Sequence, residues 1–245
     1  ADLESHANYM TALETEGRLD RQVEGLPDAK ALATRAAAGR GLTRPELAVL
    51  LAYGKLDLFD DVIASNGPDD PFFARTLKAY FPTPLGAFEA EMAQHRLRRE
   101  IIATVIVNEI VNRCGPTFAS RLRASAECDA AALVTGFEAA RAILDIDALW
   151  DAVAALDGQI PAEGQLTLFR ELVLVQRGQT YWLARKQART PATVQALIDQ
   201  YRPAVQNLRD LGQGVLSAIE RQGVSERLQH YLAAGAPEDL ARAVA

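Results

Sequence analysis

The chain has 245 residues, 49% of them hydrophobic, enough for one large domain or two small ones at a prior of about 150 residues per domain. Its 26 basic and 32 acidic residues leave a net charge of -6, which speaks against a general nucleic-acid binder. Cys114 and Cys128 are the only cysteines, which excludes a disulfide-stapled scaffold and a four-cysteine zinc site, and no apolar run nears the ~18 residues of a membrane span.

Ala, Leu, Arg and Glu, all good helix formers, dominate the sequence, and the period-2 alternation of a strand is hard to find. The expected fold is all-α, a multi-helix bundle with no significant β-sheet. In chain order the predicted helices span 3–24, 28–38, 44–64, 71–80, 84–114, 117–124, 129–143, 147–156, 162–187, 191–201, 203–222, 224–234 and 237–245. Thr43 and Glu46 have capping-box spacing, and Asp70-Pro71, Thr83-Pro84 and Thr190-Pro191 each set a capping side chain before a proline. Ser65-Asn-Gly-Pro68 and Cys114-Gly-Pro116 read as stops, and Pro203 as a break. No linker divides the chain, which is expected to form one helical region over 1–245 with a subdivision near 125. Ala1 in place of Met, and a last helix without a cap, make a piece of a longer polypeptide the working expectation.

The most apolar helix carries Leu97, Ile101, Ile102, Val105, Ile106, Ile110 and Val111, a stripe wide enough for near-complete burial. Glu100, Thr104, Asn108 and Asn112 run along it at intervals of four. On a buried helix such a line needs polar partners, so it is expected to act as a structural ladder, with a ligand-binding line as the alternative.

Tests for chemistry return little. Gly39-Arg-Gly41 and Gly212-Gln-Gly214 lack the third glycine and the preceding strand of a dinucleotide turn. His6, His95 and His230 have no ligand-like partner on their own helix faces and are expected at the surface or at caps. Asp57, Asp60 and Asp61 share about one helical turn and would suit Mg²⁺, but they are expected to be a solvated helix end. Arg96, Arg98 and Arg99, like Arg185, Lys186 and Arg189, could hold phosphate but are expected to be ion-paired or solvated. Cys114 and Cys128 read as small packing residues, and Phe72, Phe73, Tyr80, Phe81, Trp150 and Trp182 as core anchors.

Longer blocks say more. Gly41-Leu-Thr-Arg-Pro-Glu-Leu-Ala-Val-Leu-Leu-Ala-Tyr53, Asp69-Asp-Pro71, Tyr80-Phe-Pro82, and His95-Arg-Leu-Arg-Arg-Glu-Ile-Ile-Ala-Thr104 continuing to Val111-Asn-Arg-Cys-Gly-Pro-Thr-Phe118 occur in that order. Together they resemble the C-terminal region of the very large bacterial NAD-specific glutamate dehydrogenases. The resemblance runs from about Asn8 to Lys186, and Cys114 departs from it where a small residue, often Gly, stands before Gly-Pro. It implies a parent enzyme that deaminates L-glutamate oxidatively to 2-oxoglutarate and ammonia while reducing NAD. The dehydrogenase domain would lie upstream of Ala1, so no catalytic, cofactor-binding or metal-binding residue is expected here, and no cofactor in this portion.

The expected role is a non-catalytic scaffold for assembly. An effector-binding module is the alternative, and an independent Mg²⁺-dependent helical enzyme built on Asp57–Asp61 the third reading. The expected partners are the dehydrogenase domain and other regions of the same polypeptide, in a cytoplasmic homo-oligomer, with neither nucleic acid nor membrane.

Overall fold

A computed structural model describes residues 2–245, the side chain of Gln213 excepted. Among the described residues it contains thirteen α-helices and no β-strand, as the composition demands. The helices form two compact units, one ending at Val134 and the other spanning Thr135–Ala245.

The first unit begins with α1 (Asp2–Thr15), α2 (Ala29–Ala37) and α3 (Arg44–Ala64). The helix expected over 3–24 stops at Thr15. Gly17 takes a left-handed φ of 69°, and the Asp20 carboxylate accepts the N–H groups of Gln22 and Val23 at 2.9 and 3.2 Å. That turn lets Leu19 and Leu26 join Tyr9, Met10, Leu13, Leu32 and Leu50 in one buried cluster. α3 starts where its capping box predicts: the Thr43 N–H donates to Glu46 Oε2 at 2.7 Å. The same carboxylate receives both terminal nitrogens of Arg35, at 2.6 and 2.8 Å, which ties α2 to the head of α3.

α4 (Ala74–Tyr80), α5 (Glu89–Ala93), α6 (Arg98–Cys114) and α7 (Phe118–Ala126) complete this unit, and α8 (Ala130–Ile143) opens in it. The single helix expected over 84–114 is broken. A 3-10 segment covers Thr83–Phe88, α5 is one short piece, and the His95 imidazole accepts the Leu97 N–H through Nδ1 at 3.2 Å, so that α6 begins only at Arg98. α6 buries Ile102, Ile106, Val107, Ile110 and Val111 and packs most extensively on α3. Its polar line is not a buried ladder. Glu100, Thr104 and Asn112 are exposed, Asn108 is half-buried, and the Thr104 hydroxyl bonds back to the Glu100 carbonyl. The line is the solvent edge of the helix. Gly115, at φ 87°, ends α6 as its Gly-Pro signal predicts.

The second unit holds α9 (Ile146–Ala154), α10 (Ala162–Gln187), α11 (Val194–Leu211), α12 (Ala218–Ala233) and α13 (Glu238–Val244). Val153, Leu156, Leu168, Leu172, Tyr231, Ala241 and Val244 form its core. α11 starts after Thr193, whose hydroxyl accepts the Ala196 N–H, rather than at Pro191. The expected break at Pro203 is absent, because the residue is exposed and water can take the carbonyl left without a partner. The chain breaks later instead, at Gly212 with φ 55°, and restarts on a second capping box of Ser217 and Glu220.

Two glycines of α10 differ in surroundings and so in expected behaviour. A Cβ on Gly164 would meet the Ala234 carbonyl oxygen well inside 3.0 Å, whereas one on Gly178 would meet nothing within 4 Å. Gly164→Ala is expected to destabilise the protein by about 1–3 kcal/mol through overpacking. Gly178→Ala should stabilise it by about 0.5–1 kcal/mol through helix propensity. Denaturant midpoints of the two variants test both signs.

The Arg35 guanidinium holds the Glu46 carboxyl at about 2, against an ordinary value of 4.5. A depressed folded-state value contributes stability above the unfolded value and loses it as pH falls. Urea midpoints should therefore drop between pH 4.5 and about 2, and Glu46→Gln should flatten the drop over that window.

Candidate functional site

Asp57, Asp60 and Asp61 leave the last turns of α3, close enough in sequence to bind a cation together. Each is already engaged. Asp57 and Asp60 both pair with Arg18, from the turn after α1, and Asp61 pairs with Arg123 of α7. The Tyr9 hydroxyl donates to Asp57 Oδ2 at 2.8 Å. Burial, reinforced by the Asp57 charge, pushes the Tyr9 phenol well above its ordinary range, so it stays a donor. The two guanidiniums engage all three carboxylates, and the cluster fastens α1 and α7 to α3.

In the first arginine group Arg98 and Arg99 are similarly engaged, while Arg96 is exposed. Arg98 and Arg99 meet Asp69 at 3.4 and 3.1 Å, and Arg99 Nη2 donates to the Ser65 carbonyl at 2.6 Å. Beside them lies a cavity of about 120 Å³, edged by Asp69, Asp70, Lys78, Glu89 and Arg98. Lys78 and Glu89 pair across it at 2.8 Å. Its volume falls below the roughly 300 Å³ at which ligand pockets begin.

Neither glycine pair forms a dinucleotide turn. Gly39 and Gly212 both sit with positive φ at the C-terminal ends of helices, where carbonyl groups repel phosphate. The one helix N-terminus adjoining such glycines, that of α3, is filled by its own Glu46 carboxylate.

The remaining sequence candidates have structural surroundings. His95 caps, His230 is exposed, and His6 is half-buried with its proton affinity lowered by burial. Cys114 is half-buried, as is Cys128, whose thiol is pushed up to about 11 by burial and by Asp129, away from thiolate chemistry. Phe73 is fully buried and Trp150 stacks on Phe169 at 4.5 Å. Phe72, Phe81 and Trp150 are half-buried, and two expected anchors are exposed: Tyr80 by 56% and Trp182 by 48%.

Trp182 belongs to a feature that the residue-by-residue search missed. An open groove of about 460 Å³ runs between α10 and α11, with the end of α8 along it. Gln179, Trp182 and Leu183 line one side, and Tyr201, Val205 and Leu208 the other, at the i, i+3, i+4 spacing of single helix faces. The Trp182 and Tyr201 rings meet edge-on at 5.0 Å, with Lys186 Nζ 5.8 and 5.1 Å from their centroids. Arg202 bonds the Ala142 carbonyl and Asp145, and Arg209 the Leu144 carbonyl, so cations rim an apolar floor. The apolar spacing along Tyr201, Val205, Leu208 and Leu211 was visible in sequence, whereas the vacant space facing it depends on tertiary packing.

Comparison with known proteins gives a consistent result. The family described as glutamate dehydrogenase, C-terminal, matches residues 39–245. The NAD-specific glutamate dehydrogenase of Halomonas elongata is 35% identical over 241 residues, covering 98% of this chain and 15% of the relative. That of Pseudomonas aeruginosa is 37% identical with the same coverage. The enzyme of Mycobacterium tuberculosis is 33% identical over 237 residues, 96% of this chain and 14% of the relative. The chain thus spans 14–15% of the length of these curated relatives. The similarity continues past Thr190, beyond the short blocks that first suggested it.

The acidic cluster yields a direct test. Arg18→Ala strips Asp57, 17% exposed, of its guanidinium and is expected to lower stability by about 1–3 kcal/mol in urea titrations. Millimolar Mg²⁺ should leave the melting temperature of the unaltered protein unchanged. A rise with Mg²⁺ would return the cluster to the list of metal sites.

Proposed function

The chain belongs to the glutamate dehydrogenase C-terminal family, and from that premise we propose that it is a non-catalytic helical scaffold supporting the assembly of a large NAD-specific glutamate dehydrogenase. The parent enzyme would convert L-glutamate, water and NAD⁺ to 2-oxoglutarate, ammonium, NADH and a proton. Hydride transfer of that kind calls for a nucleotide fold and an activated lysine beside the substrate. The observation that carries the scaffold reading is the engagement of Asp57, Asp60, Asp61, Arg98 and Arg99 in ion pairs that join helices. Groups so committed stabilise a shape and leave no reactive constellation.

The parts expected to touch this region are the dehydrogenase domain and other segments of the same polypeptide, within a homo-oligomer. The relatives' lengths support that arrangement, since 85% or so of each lies outside the matched portion. An effector role at the Arg98–Arg99 group would require a ligand to displace the Arg98–Asp69 and Lys78–Glu89 pairs from a small cavity.

Two measurements test the proposal. The 245-residue chain should show no heat of binding with NAD and no NADH absorbance with glutamate. The intact enzyme lacking this region should lose oligomeric state or thermal stability before its chemistry changes. Turnover by the chain alone would overturn the scaffold reading. A truncated enzyme with native assembly but an altered effector response would replace it with a sensor.

A further inference from the structure

The groove between α10 and α11 is open on a face where neighbouring apolar side chains also lack cover. Leu208 and Leu211 are 56% and 60% exposed, and Val215 and Ile219, in the segment that follows, 51% and 83%. Apolar side chains repeated along one helix face and left in water are unusual for a finished surface. The charges on the α10 side are one-sided, whereas α11 carries Asp199 and Asp210 beside Arg202 and Arg209. Residues 172–198 include Arg177, Arg185, Lys186 and Arg189 and no Asp or Glu, in a chain whose net charge is -6. Lys186 lies over two rings, Arg209 reaches a backbone carbonyl, and neither has a carboxylate partner among the described residues.

We infer that this groove receives an amphipathic helix with carboxylates flanking its apolar stripe, supplied by the part of the same polypeptide outside these 245 residues. The inference deepens the scaffold reading and rests on it. A trough lined by two helices accepts the ridge of a third. The apolar floor supplies the burial, and Trp182, half-exposed and edge-on to Tyr201, is the aromatic anchor of the kind that dominates interface energetics. The basic rim sets the sign of the occupant's flanks. A second copy of this chain would bring Lys186 and Arg209 towards a face already positive, and like charges disfavour that pairing. The source follows from length: in the relatives this region is 15% of a far longer chain.

Hydroxyl-radical footprinting of the isolated chain and of the intact enzyme tests the assignment. Trp182, Leu208 and Leu211 should be oxidised several-fold more slowly in the intact enzyme, while Trp150, set in the other core of the same unit, should not change. Carbodiimide should link Lys186 to an Asp or Glu outside this region. Leu208→Asp, at a position exposed enough to leave folding intact, and Lys186→Glu should each return Trp182 to its rate in the isolated chain. Lys186→Arg should keep the protection. Equal oxidation in both proteins, a link to another copy of this region, or shielding of Trp182 in the isolated chain by phosphatidylglycerol vesicles would each overturn the inference. If deleting the region disrupts assembly while Trp182 stays unprotected, the scaffold reading stands and the groove assignment falls. Protection of Trp182 alongside a deletion that leaves assembly intact retains the groove and removes the scaffold.

Discussion

Helices with no sheet to rest on must set their own spacing, and here the closest spacings occur where backbones meet. A Cβ at Gly54 of α3 would stand 3.0 Å from the Pro116 carbonyl, and one at Gly136 of α8 would stand 2.8 Å from the Ala184 amide of α10. Gly164 makes a still closer approach to Ala234. Separations this short let whole helices, rather than side-chain tips, interlock. Around them the larger residues follow: Leu58 and Val62 beyond Gly54 on α3, and Leu168 and Leu172 beyond Gly164 on α10. On α10 the Gly164 approach sits beside the cluster that contains Leu168 and Leu172.

Charge is handled differently in the two units. In the first, Arg18, Arg35, Arg98, Arg99 and Arg123 each meet a carboxylate from another part of the unit, so its apparent metal and anion sites are joints between helices. In the second, Arg141 joins Asp147 and Arg202 joins Asp145, yet the stretch from Arg177 to Arg189 carries cations without local counter-charges in sequence. Such joints suit a self-sufficient fold. The cations of the Arg177–Arg189 stretch lie instead beside exposed apolar side chains.

The sequence made much of this legible through local chemistry. Thr43 and Glu46 mark the start of α3, Gly115 the end of α6, and helix periodicity the all-α class, since each depends on residues a few positions apart. Errors came where a side chain competed with the helix or failed to. His95 captures a backbone N–H and splits a periodic run, whereas Pro203 sits where solvent tolerates its missing bond. The wide apolar stripe of α6 suggested burial all round, but the Glu100–Asn112 edge still reaches water. The Arg18–Asp57 joint, 39 positions apart, and the groove beside Trp182 depend on how distant segments pack, which no spacing encodes.

α10 has a mechanical consequence of its own. Its 26 residues make a rod about 39 Å long. Near one end Gly164 is wedged against Ala234. At the other the Gln187 side chain holds Ala192 through both amide atoms, at 2.7 and 2.9 Å. A rod pinned at both ends bends little, because each bend must stretch several i to i+4 bonds together. Trp182 therefore stands on the same stiff axis as Leu168 and Leu172. The groove and the α12–α13 core consequently share one structural member.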